Sequence, residues 1–73
     1  DEQLAEIRVT SGRSVGNNLA KLSLRGCLVV ALRRGDKLIP PNGATVLRHG
    51  DVLTLLGDAK SLEQAKRVLQ VAD

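Results

Sequence analysis

Val52-Leu53-Thr54-Leu55-Leu56 is an uncharged run held between two Gly-Asp pairs, Gly50-Asp51 and Gly57-Asp58. A strand that apolar is expected to have both faces covered and to lie near the middle of a sheet, with the rest of the chain packed around it. The residues leading into it read as short strands and turns. Lys37-Leu38-Ile39 is a strand that Pro40 and Pro41 must end or confine to an edge, because proline donates no ladder hydrogen bond. Asn42-Gly43 supplies the positive φ of a reversal, Thr45–Leu47 reads as a three-residue strand, and His49-Gly50-Asp51 turns the chain again.

The remaining elements follow from periodicity. Leu4–Thr10 alternates, with Ala5, Ile7 and Val9 toward a core and Glu6, Arg8 and Thr10 toward solvent. Ser14 is the expected N-cap of a short helix carrying Val15, Leu19 and Leu22 on one face and ending by Gly26. Cys27–Leu32 is a continuous apolar strand, and Gly35-Asp36 reads as the two-residue turn of a hairpin. Ser61 and Gln64 match a capping box at the start of a last helix whose stripe is Leu62, Ala65, Val68, Leu69 and Ala72. The order is β-α-β-β-β-β-α: an α+β fold, a small and mostly antiparallel sheet with two helices.

Seventy-three residues make one domain, 1–73, and a chain this short buries a smaller fraction of its surface than a larger domain does. The core must be aliphatic, since there are 13 Leu, 8 Val and 2 Ile but no Phe, Trp, Tyr or Met. Such a domain gains from self-association. The net charge of +3 reads first as a solvated surface and second as attraction to a small anion. Nucleic acid is not expected, because single strands stack on aromatic rings and this chain has none. No apolar stretch approaches the ~20 residues of a membrane span, so the domain is not expected to insert directly. The chain begins without Met, which suggests a fragment of a longer protein.

Catalysis has no visible constellation, and no enzyme is expected. His49 is the only histidine and Cys27 the only cysteine, which gives no recognisable metal-ligand spacing and allows no internal disulfide. His49 and Asp51 read as turn residues, with Asp51 tightening the turn through its side chain. Gly12-Arg-Ser-Val-Gly16 matches neither a dinucleotide fingerprint nor a P-loop. One anion site is expected: free amides in a helix first turn bearing Gly16, Asn17 and Asn18, with Arg33 or Arg34 near. Alternation turns those two arginines to opposite faces, so one at most serves any site.

Taken in order, these pieces resemble the RCK C-terminal domain family, also called TrkA-C, over about Leu4 to Leu69. The matching pieces are Val9, Ser11-Gly12-x-x-x-Gly16, Asn17-Asn18-Leu19-Ala20-Lys21-Leu22 and Val29-Val30-Ala31-Leu32-Arg33-Arg34-Gly35. Ile39-Pro40, Gly43-Ala44-Thr45-Val46-Leu47 and Gly50-Asp51-Val52-Leu53-Thr54-Leu55-Leu56-Gly57 complete the series. The resemblance implies a cytoplasmic regulatory domain of a potassium channel, a cation transporter or antiporter, or a soluble gating subunit. It also implies a homodimer, a parent membrane protein as partner, no cofactor, and cyclic di-AMP as a regulatory ligand in some members. By position it carries ligand contacts to Asn17, Asn18, Leu28, Val29, Arg33 and Pro40. The alternative is a purely structural oligomerisation domain.

Overall fold

The computed structural model describes residues 1–71. Four strands, β1 (Gln3–Arg8), β2 (Cys27–Arg34), β3 (Lys37–Ile39) and β4 (Val52–Gly57), form one sheet in the order β1-β4-β2-β3. Every pairing is antiparallel. Helix α1 (Leu19–Leu22) lies between β1 and β2, and α2 (Ala59–Gln70) follows β4. The fold is the α+β arrangement expected, and the uncharged run is indeed a central strand.

Three local readings need correction. Thr45–Leu47 forms no strand: Val46 makes a single bridge to Asn18. The segment facing it, residues 16–18, is itself irregular and leads straight into α1, so no ladder propagates. The first helix begins at Leu19 with Asn18 as its cap, and not at Val15 with Ser14. Ser14 is instead fully buried, its hydroxyl bonded to Ser11 and to the Leu69 carbonyl. The last helix is capped by Asp58, whose carboxylate takes the Ser61 amide at 2.7 Å, so it starts before the Ser61–Gln64 pattern. Ala72 of the expected stripe lies outside the described residues, while Leu62, Ala65 and Leu69 are buried as read.

Period-two alternation explains the core. Ile7 and Leu32 lie in register on either side of Leu53, and Leu55 is flanked by Ala5 and Val29. These side chains share one face of the sheet with Val9, Leu19 and Leu47, and α2 closes over them. The other face has no second layer. Val52, Thr54 and Leu56 on β4 are therefore only half-buried, which departs from the expectation of two covered faces. The C-terminus of α2 is held by the loop after β1: the Leu69 carbonyl accepts from the amides of Thr10 and Ser11, both at 2.9 Å. Ser11 Oγ donates to the Val68 carbonyl at 2.8 Å, so carbonyls without helical partners are satisfied.

Gly26 makes the turn into β2 and has φ of +79°. A Cβ there would overlap Ser61 Oγ and lie 3.0 Å from Ser61 Cβ. Gly26→Ala is expected to lower stability by about 2 kcal/mol, the left-handed conformation alone costing roughly 1–2. In a Ser61→Ala background only the conformational part should remain. An unchanged urea midpoint for Gly26→Ala would remove this constraint.

Candidate functional site

Strand β3 pairs only with Leu32–Arg34, because Pro40 ends it. The N-terminal half of β2 therefore keeps a free edge, and in its ladder with β4 a bulge between Val29 and Ala31 leaves Val30 without a partner residue. Two shallow grooves run along this edge and meet at Pro41. One, of about 290 Å³, is lined by Leu19, Leu28, Val29, Pro41 and Asn42 among others. Its neighbour, about 200 Å³, is lined by Val30, Ala31, Leu38, Ile39, Pro40 and Pro41. Leu28, Val30 and Leu38 are 63%, 48% and 74% exposed, an apolar surface that water covers at a cost.

The six candidate residues divide on this geometry. Leu28 and Val29 share the first groove, and Pro40 lies in the second. Asn17 and Asn18 serve their own loop. Asn17 Nδ2 donates to the Arg13 carbonyl at 2.6 Å, and Asn18 Oδ1 accepts from the Lys21 amide at 2.9 Å. Arg33 stands opposite Val52 and Leu38, exposed. Arg33 thus stands beside the second groove through Leu38, whereas Asn17 and Asn18 line neither groove. The expectation of free first-turn amides is also corrected. The amides of Val15, Gly16, Asn17, Leu19, Ala20 and Lys21 all donate to backbone carbonyls. The loop uses its own donors to hold the 43–47 segment.

Arg33 and Arg34 do face opposite ways. Arg34 is committed: Nε meets Asp51 Oδ1 at 3.0 Å, and Nη2 meets Asp51 Oδ2 and the Val46 carbonyl, both at 2.9 Å. Asp51, 1% exposed, also accepts from the Arg48 amide at 2.9 Å, which tightens the turn as read. With both its oxygens turned to Arg34, Asp51 is not placed to orient His49, an exposed turn residue. Cys27 is half-buried beside the core, and burial, aided by the charges of Asp58 and Glu2, pushes its thiol up. Such a thiol is a poor nucleophile at neutral pH. Among the described residues no group of three or more His, Cys, Asp or Glu is placed to hold a metal ion. Also among them, no helix is long and apolar enough to cross a membrane.

The TrkA-C domain family matches residues 4–70. Over 59 residues, 80% of this chain, the sequence is 37% identical to the K(+)/H(+) antiporter NhaP2 of Shewanella baltica and 36% identical to that of Shewanella oneidensis. The chain spans about a tenth of the length of these curated relatives. Among solved structures it resembles the RCK C domain of the potassium transport protein KtrA in complex with cyclic di-AMP. The TM-score is 0.82 at 25% identity, covering 92% of this chain and 82% of that one. The RCK_C domain dimer of S. agalactiae BusR in complex with cyclic di-AMP matches with a TM-score of 0.78 at 25% identity. That match covers 90% of this chain and 88% of the BusR chain.

Proposed function

The chain belongs to the TrkA-C domain family, and from that premise we propose that it is a cytoplasmic regulatory domain of a cation transporter. The parent we propose is an antiporter exchanging potassium for protons, and the domain acts as a homodimer with cyclic di-AMP as its regulatory ligand. One observation carries the reading: the free edge of β2 presents apolar grooves in a fold that KtrA and BusR use in complex with that nucleotide. Leu28, Val29 and Pro40 form the platform for a base, which in a chain without aromatic rings must rest on aliphatic surface. Arg33 holds a phosphate, since Arg34 is already taken by Asp51. Asn17 and Asn18 act one step removed, by setting the loop that places Leu19 in the first groove.

Regulation then follows by population shift. A ligand bridging two protomers favours one dimer geometry, and the parent transporter feels no more than the ligand's differential affinity for the two geometries. The same exposed leucines would serve a purely structural oligomerisation domain equally well. A calorimetric titration with cyclic di-AMP, against the linear dinucleotide, separates the two. Saturation near one ligand per dimer is expected, with Leu28→Glu and Arg33→Ala each weakening binding about tenfold, the equivalent of roughly 1.4 kcal/mol. Both side chains are exposed, so these variants should fold. A flat titration of folded chain would remove the ligand and leave the oligomerisation domain.

A further inference from the structure

At the opposite border of the sheet, β1 pairs with β4 on one side only. Val9 N–H donates to the Asp51 carbonyl at 2.7 Å, and the Val9 carbonyl accepts from Gly50 N–H at 2.8 Å, so Val9 faces the β4 side. Successive residues alternate, which turns the N–H and C=O groups of Leu4, Glu6 and Arg8 outward. The Arg8 carbonyl confirms this by accepting from Gln70 Nε2 at 3.1 Å. Among the described residues no strand lies beside the other outward groups.

Proteins usually blunt such an edge with proline, a bulge or an inward charge. β1 has none of these: its register with β4 is unbroken, it contains no proline, and its inward residues are Ala5 and Ile7. Its two solvent-face charges, Glu6 and Arg8, are opposite in sign. Beside the edge runs a groove of about 420 Å³ between β1 and α2, lined by Ile7, Leu62, Glu63 and Lys66 among others.

We propose that a second copy of this chain docks here, β1 against β1 in antiparallel register about a two-fold axis at Ile7. Charge selects that register over its neighbour. An axis at Glu6 sets the two Glu6 side chains face to face, and like charges directly opposite are unfavourable. An axis at Ile7 sets Glu6 against the partner's Arg8, and Arg8 against the partner's Glu6. The two sheets become one of eight strands, with the α2 helices side by side over it. Glu63 and Lys66, on the groove side of α2, then meet the partner's Lys66 and the partner's Glu63. This surface is independent of the ligand grooves, which lie across the sheet on β2.

Sedimentation velocity of the 73-residue chain tests the pairing. Glu6→Arg and Arg8→Glu should each weaken one doubling step at least tenfold, and the double swap should restore it to within threefold. Glu6→Pro, which removes only an outward N–H, should abolish the same step. Where ligand-side pairing also operates, what is lost is the step from dimer to tetramer, and cyclic di-AMP titration is unchanged. Single reversals that leave every doubling intact, or a double swap as weak as the singles, would overturn the proposal.

Discussion

Asp51→Ala should lower stability by about 3 kcal/mol, through loss of charge-assisted hydrogen bonds worth roughly 1.5–3 each. Its carboxylate receives Arg34 with both oxygens and the Arg48 amide with one, while its backbone carbonyl takes Val9 N–H. One side chain thus ties the end of β2 to the turn before β4, and through Arg34 to the carbonyl of Val46. A domain of this size holds only about 4–11 kcal/mol in all. At 4–8 °C per kcal/mol, a melting temperature about 12–24 °C lower is expected. Asp51→Asn, which keeps the shape and one acceptor, should fall between the two. A shift of less than a few degrees for Asp51→Ala would show that the pair is replaceable by water.

The same residue shapes the response to acid. Burial by itself raises the Asp51 carboxyl. Hydrogen bonds from Arg34 and the Arg48 amide, with the charges of both residues, overcome burial and hold it below the usual carboxylate range. Asp58 is lowered too, by the Ser61 backbone amide and then its side chain. A carboxyl lowered by folding contributes stability that is complete above its unfolded value near 3.9 and is lost as pH falls through the folded value. The acid limb of the stability curve should therefore be shallower in Asp51→Asn than in the parent chain.

Much of this was legible in the residues, for reasons that are local. Ile7 and Val9 announce their face because a strand alternates with period two, and Pro40 announces the end of β3, hence the open edge beside it. What escaped depends on partners distant in sequence. Ser14 looks like a helix cap until Leu69, fifty-five residues on, takes its hydroxyl. Parity places Arg33 and Arg34 on opposite faces, but only the register of β2 on β4 says that Arg34 is the one facing Asp51. The amides of residues 15–21 look free as a first turn until the 43–47 segment folds back to receive several of them. The candidate ligand residues split on the same ground: Leu28 and Val29 line one groove, Pro40 lines its neighbour and Arg33 stands opposite Leu38 of that neighbour, whereas Asn17 and Asn18 rest on family position.

Leu53→Ala is expected to cost about 3–4 kcal/mol, within the 2–5 typical of a buried leucine. Leu53 is 0% exposed at the centre of the sheet, between Ile7 and Leu32 and beneath α2. Leu56 sits on the same strand but on the open face, beside the exposed Leu4 and Leu28. Leu56→Ala should cost the monomer less than Leu53→Ala, since part of the Leu56 surface stays in water after folding. Denaturant unfolding at low and high protein concentration makes the comparison informative. The Leu53 penalty belongs to the monomer core and should not change with concentration. A Leu56 penalty that grows with concentration would mean that an associating copy covers the open face, and a large one at every concentration would mean that the monomer already covers it.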